Sequence, residues 1–183
     1  MSDDLKGKNI LLGVSGGIAA YKAADLASKL VSAGAAVTCV MTESACKLVA
    51  PKTFEALTTK RVYIDLWSSP DEFRISHVNL VQSADVIVIA PATANIIGKI
   101  ANGICDDLLS TTMCAAHIKP VLIAPAMNNN MWGNPAVRRN VATLAEMGYE
   151  MVGPGEGRLA CGDVAVGRMS EPAEIIEKIR QMV

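Results

Sequence analysis

The sequence predicts a doubly wound α/β domain, Rossmann-like or flavodoxin-like, with one parallel sheet of about six strands and helices on both of its faces. Three observations lead there. Short, wholly apolar runs alternate with stretches of helical periodicity along the chain, as strands buried on both faces require. The apolar fraction is 51% but the aromatic fraction only 4%, and the abundance of alanine suits closely packed helices better than an all-β sandwich. At 183 residues the chain has the size of one domain with its own core, so residues 1–183 read as a single unit.

Each element follows from its residues. "NILLGVS" (9–15) is a buried strand ended by glycines. The next stretch puts Ala19, Ala23, Leu26, Ala27 and Leu30 on one helical face, and Gly34 stops it. This alanine-rich face suits either its own sheet or a neighbouring subunit. "AVTCVM" (36–41) is a second strand. Residues 44–57 are helical with a break near Pro51, and "VYIDL" (62–66) is a weaker third strand. A polar, irregular stretch, "WSSPDEFRIS", leads to His77 and the short helix "HVNLVQSA". "DVIVIAP" (85–91) is the strongest strand. "ANIIGKIANG" and "DDLLSTTMCAA" are helical, and "PVLIAPAM" (120–127) is a strand. Asn134 and Pro135 open a helix as N-cap and first residue, and it runs to Gly148. "EMVGP" is a last strand. The segment "GPGEGRLACGDVAVGRM" (153–169) shows no period and reads as a long, flexible, glycine-rich loop. Pro172 then begins a terminal helix with Ile175, Ile176, Ile179 and Met182 on one face.

Composition excludes several function classes. The net charge is −1 and no basic run occurs, so there is no electrostatic footprint for nucleic acid or an anionic membrane. No apolar run reaches transmembrane length and the charged N-terminus does not resemble a signal peptide, so a soluble cytoplasmic protein is expected. The cysteines, Cys39, Cys46, Cys105, Cys114 and Cys161, form no CxxC pair, and with only His77 and His117 beside them no metal site is expected. Four of them fall in apolar-periodic elements and read as small, reduced core residues. Cys161, in the glycine-rich segment, stands apart. His117, before a strand, reads as a solvated turn residue.

In a doubly wound sheet the ligand lies beyond the carboxyl ends of the strands, where strand order reverses. The loops after the first and fourth strands are Ser15-Gly16-Gly17 and "PATAN" (91–95). Those after the second and fifth are Met41-Thr42-Glu43-Ser44 and Pro125-Ala126-Met127-Asn128. All are rich in small or hydrogen-bonding residues. "GVSGG" matches the G-x-S-x-G nucleophile elbow, but too little chain precedes Ser15 to build an oxyanion loop. "GVSGGI" also lacks the dinucleotide fingerprint. Hydroxyls flanking Glu43 and glycines at a helix start suit a phosphate, which favours a mononucleotide such as FMN over NAD.

Four segments, "GVSGGIAAYK", "PATAN", "PAMNNNMW" and "ACGD" followed by "GRM", stand in an order and spacing that resemble the homo-oligomeric flavin-containing cysteine decarboxylases. The resemblance covers nearly the whole chain. It is strongest to the branch that acts on 4'-phosphopantothenoylcysteine in coenzyme A biosynthesis. In many bacteria that domain is the N-terminal half of a bifunctional protein, and the sequence suits either such a half or a stand-alone enzyme. The resemblance implies FMN held by Gly16, Gly17 and Ile18, by Thr42, Glu43 and Ser44, by Thr93, Ala94 and Asn95, and near Ala126. Many relatives carry a small hydroxyl residue in the third loop, so one flavin contact is expected to be absent. It further implies His77 as the catalytic base, Asn128 as the holder of the substrate carboxylate, Met127 and Met131 as pocket residues, and Cys161 as the thiol that protonates an enethiol intermediate. The 153–169 segment would then be a mobile lid with glycine hinges. The implied partners are a small-molecule substrate and further copies of the chain, as a homotrimer or a dodecamer of trimers with flavin sites at subunit contacts. Two other readings share the fold: a flavin prenyltransferase, which would need no Asn128 or Cys161, and a non-catalytic flavin-binding regulatory subunit.

Overall fold

A computed structural model describes residues 5–67, 76–160 and 162–183. Its parallel sheet holds β1 (Asn9–Val14), β2 (Ala36–Met41), β3 (Val62–Tyr63), β4 (Val86–Ala92), β5 (Val121–Pro125) and β6 (Glu150–Met151) in the order β3-β2-β1-β4-β5-β6. This is the Rossmann order, with its switch point between β1 and β4. The third strand is shorter than its apolar pattern implied: only Val62 and Tyr63 pair, with Cys39 and Val40. Around the sheet lie α1 (Ala20–Ser32), α2 (Glu43–Cys46), α3 (Pro51–Thr58), α4 (Ser76–Ser83), α5 (Ala94–Ala101), α6 (Leu108–Cys114), α7 (Asn129–Gly133), α8 (Pro135–Glu146) and α9 (Pro172–Arg180). The short α7 was not foreseen. Asn128 caps it by accepting the Asn130 N–H at 2.8 Å.

The strands alternate their side chains between two cores. Ile10, Leu12 and Val14 join Leu26, Leu30, Phe54, Ile175 and Ile179 under α1, α3 and α9. Leu11, Ile87 and Ile89 join Ile96, Ile97, Leu109, Met113 and Leu144 on the opposite face. Gly13 sits where Leu109 inserts: a Cβ there would lie 2.6 Å from both Ile89 Cδ1 and Leu109 Cδ1. Ala20, Ala23 and Ala27 are fully buried against this chain's own sheet, which settles the packing of the alanine-rich face.

The segment 153–169 is not an irregular loop. It forms an antiparallel ribbon of β7 (Gly155–Arg158) and β8 (Val164–Arg168), a two-stranded sheet separate from the main one. Beyond the paired strands, Leu159 donates its N–H to the Asp163 carbonyl at 2.8 Å. Of the supposed hinges, Gly155 and Gly157 are paired strand residues. Gly167 serves close approach, since a Cβ there would sit 2.2 Å from the Met127 carbonyl oxygen, at φ 151°. At the root, Gly153 meets Ser170, whose Oγ would be 2.7 Å from a Cβ. The cysteine expectation also needs correction. Cys39 is buried, and burial pushes its thiol pKa up to about 12. Cys46 is only half-buried, Cys105 is exposed in the loop before α6, and Cys114 is exposed at the last residue of α6.

Candidate functional site

The carboxyl ends of β1, β2, β4 and β5 open into one cleft of about 1210 Å³. It lies at the switch point, as the topology requires. Every residue expected to hold the cofactor lines it: Gly16, Gly17, Ile18, Thr42, Glu43, Ser44, Thr93, Ala94, Asn95 and Ala126. So do Met127, Asn128 and Met131.

Local rules put them there. Thr42 and Thr93 are N-caps of α2 and α5, accepting the N–H groups of Ala45 at 3.2 Å and Ile96 at 3.4 Å. Gly16 permits contact between the first and second loops, since a Cβ would fall 2.3 Å from Ser44 Cβ. Ser15 clamps the first loop to the third. Its hydroxyl, 2% exposed as a residue, donates to the Pro91 carbonyl at 2.7 Å and accepts the Thr93 N–H at 3.0 Å. A buried hydroxyl committed in this way is not a nucleophile.

The donor set suits an anionic mononucleotide. Among the described residues the backbone N–H groups of Gly16 and Ile18 have no protein acceptor, and they stand at the start of α1, where the helix dipole favours negative charge. The hydroxyl of Ser44 lines the same end. These residues fit the phosphate of FMN, and the apolar Ala94, Ile96, Ala126 and Met127 supply wall for a flat aromatic system.

Asn128 caps α7 as well as lining the cleft. Its Oδ1 is committed to the α7 cap, which fixes the amide so that its NH2 is the donor end. His77 stands in the first turn of α4, half-buried, and does not line this cleft. Helices of a parallel sheet begin at the carboxyl ends of the strands, so His77 is at the same edge of the sheet but on another part of it. Cys161 lies outside the described residues; its neighbours Leu159 and Ala160 line the cleft. His117 is exposed in a turn, as expected.

Sequence reasoning missed the charged part of the wall. Lys22, Lys99, Asp107, Arg158 and Arg168 also line the cleft. Lys99 bonds Asp106 and Asp107 at 2.6 Å each; burial lowers its pKa, but these two carboxylates outweigh it and the net shift is upward. The Lys22 side chain, 9% exposed, donates to Glu171 at 2.8 Å and to the Met169 carbonyl at 3.4 Å. Arg168 donates to the same Glu171 oxygen at 2.6 Å. The Lys22 hydrogen bond is the largest reason that the Glu171 carboxyl is held below its ordinary range. A lysine within a helical apolar pattern gave no signal of this, because its partner is 149 residues away.

Comparison with known proteins agrees with the cleft. The family model described as Flavoprotein matches residues 1–183. The chain is 54% identical over 173 residues to the coenzyme A biosynthesis bifunctional protein CoaBC of Bacillus subtilis, covering 94% of this chain and 42% of that protein. It is 45% identical over 168 residues to the CoaBC protein of Mycolicibacterium smegmatis, covering 92% and 40%. The chain thus spans less than half the length of these relatives. Among solved structures, a PPC decarboxylase mutant complexed with pantothenoylaminoethenethiol is similar at TM-score 0.85 and 36% identity, over 95% of this chain and 97% of that one. The FMN-dependent cysteine decarboxylase SpaF is similar at TM-score 0.84 and 36% identity, over 97% and 96%. With its whole length matched and its cleft built from the matched strand-end loops, the chain belongs to the flavoprotein family.

Proposed function

We propose that this chain is an FMN-dependent decarboxylase that converts 4'-phosphopantothenoylcysteine to 4'-phosphopantetheine in coenzyme A biosynthesis, working in the cytoplasm. One observation carries the reading. A single cleft gathers the four strand-end loops, Asn128 and the ribbon, on a chain similar over 95% of its length to a cysteine decarboxylase complexed with an enethiol.

Gly16, Ile18 and Ser44 hold the FMN phosphate, and Thr93, Ala94, Asn95 and Ala126 border its ring system. Bound FMN supplies a temporary acceptor for two electrons, without which loss of CO2 would leave a carbanion with no sink. The chain's own residues do the rest. Asn128 donates its amide to the substrate carboxylate, and a neutral donor does not overstabilise the group that must leave. His77 takes the thiol proton. Because His77 lies off its own chain's cleft, it serves the cleft of a neighbouring copy, in a homotrimer or a dodecamer of trimers. Cys161 gives its thiol proton to the enethiol. The ribbon excludes water while the intermediate is exposed.

The prenyltransferase and regulatory readings are not favoured, because the CoaBC relatives carry a coenzyme A name and the PPC decarboxylase and SpaF structures carry decarboxylase names. The test is direct. The purified protein should be yellow and release CO2 from phosphopantothenoylcysteine. Cys161→Ser should still release CO2 but accumulate the enethiol. Normal thiol product from that variant would overturn the role of Cys161, and absence of CO2 release by the flavin-loaded wild type would overturn the reading as a whole.

A further inference from the structure

A buried cation on the cleft wall has no place in the chemistry above. Lys22 belongs to α1, one turn beyond the loop that begins it, and its side chain is almost wholly withdrawn from water. It is tied to Met169 and Glu171 at the root of the ribbon. That is the Met127 and Asn128 end of the cleft, because Met127 donates its N–H to the Gly167 carbonyl at 2.9 Å. The opposite end is marked by Ser44 against Gly16. Lys22 is thereby linked through Met169 and Gly167 to the Met127 and Asn128 side of the cleft.

The charges around it do not balance. Lys22 and Arg168 share one carboxylate oxygen of Glu171, so the cluster carries one net positive charge. Two further carboxylates are near and both are engaged: Asp25 is ion-paired with Lys29, and Glu174 accepts the Glu171 backbone N–H at 2.9 Å. Glu171 pairs with Lys22 but is shared with Arg168, so the cluster as a whole keeps a positive charge that a further anion would complete.

We infer that Lys22 stabilises the negative charge that the flavin gains on reduction, and so sets the reduction potential of the bound cofactor. This rests on the FMN reading above. The electron count requires such a charge. The substrate's thiol-bearing carbon gives up a hydride, two electrons with one proton, to the flavin. The S–H proton goes to the base, and a C=S bond forms. The neutral oxidised ring system is left one unit more negative. In the return half the same hydride goes back to carbon and the proton comes from Cys161. A cation held in a weakly solvated wall favours the charged half of that cycle, one of the ways in which a protein tunes a flavin.

The test is the midpoint potential of FMN-loaded protein, measured by equilibration with reference dyes, with FMN affinity measured alongside. Lys22→Met should weaken binding of reduced FMN at least tenfold more than that of oxidised FMN, a fall of about 30 mV for a two-electron couple. Lys22→Arg should hold the potential near wild type. Glu171→Gln removes the shared anion and should move the potential upward. If Lys22→Met does not fold, the direction of the Glu171→Gln shift decides. Equal loss of affinity for both oxidation states, or a Glu171→Gln potential that stays fixed or falls, would overturn the inference. Failure of the wild-type protein to bind FMN would instead refute the functional reading on which it rests.

Discussion

The two walls of the cleft are built on opposite plans. The sheet wall is made of strand ends whose loops interlock. Ser15 bonds Pro91 and Thr93, Gly16 abuts Ser44, and Thr42 and Thr93 cap their helices. The ribbon wall is two strands paired only with each other, with Val164 and Val166 exposed. It is attached chiefly through its root, by the Met127–Gly167 hydrogen bond and the Glu171 ion pairs. The difference separates two tasks. A cofactor that stays needs a wall preorganised to tenths of an ångström. A substrate that enters and leaves needs a wall whose opening costs few contacts.

Two alanine substitutions should pull these tasks apart, with the largest effects. Gly16→Ala drives a Cβ into Ser44 side chain and backbone and should weaken FMN binding by about 100-fold, in line with overpacking costs of about 1–3 kcal/mol. Gly167→Ala drives a Cβ into the Met127 carbonyl and also requires an unfavourable backbone angle. It should leave a yellow protein whose turnover falls by a similar factor. Flavin titration and kcat/KM measure the two losses, and a colourless Gly167→Ala protein would erase the distinction between the walls.

Ser15→Ala removes a buried hydroxyl and strands the Thr93 N–H. It should cost about 1–3 kcal/mol in urea unfolding. The root of the ribbon should respond to acid. Glu171 has a lowered pKa in the fold, so its contribution is full above the ordinary glutamate value of 4.5 and is lost as pH falls through the lower folded value. Cleavage of the ribbon by pepsin should therefore rise as pH falls below about 4.5. Glu171→Gln should flatten that profile. The smallest effect belongs to Val164→Thr on the exposed ribbon face, within about 0.5 kcal/mol for the isolated chain. A larger loss in the assembled protein would mean that a second copy covers the ribbon.

The same contrast governs what the sequence made legible. Strands β4 and β5 are buried throughout and β1 and β2 over most of their length, so each reads as a mainly apolar run. The four loops that line the cleft followed from the doubly wound rule, whereas the ten cofactor positions within and beside them came from the family resemblance. The ribbon was unreadable for the opposite reason. With glycines at alternate positions of β7 and valines exposed on β8, neither strand has an apolar face to alternate. Edge strands β3 and β6 are both legible, in "VYIDL" and "EMVGP", but each pairs over two residues, so the sequence overstates their bounds. Cys105 and Cys114 were misplaced because one lies before α6 and the other at its last residue. Lys22 meets Arg168 and Glu171 only through tertiary contact. Asn128 was found through motif resemblance, and its cap then explained why the side chain is fixed.

The contact between Gly153 and Ser170 has an evolutionary meaning. The chain leaves the domain and returns to it at one point, so the ribbon is topologically a detachable insert. Residues toward the tip of the ribbon, away from Gly167 on Met127 and the buried Met169, can lengthen, shorten or change sequence without touching the main sheet. A lineage that keeps the flavin platform can then acquire a new substrate by exchanging one short cassette, while the rest of the domain continues to fold unaltered.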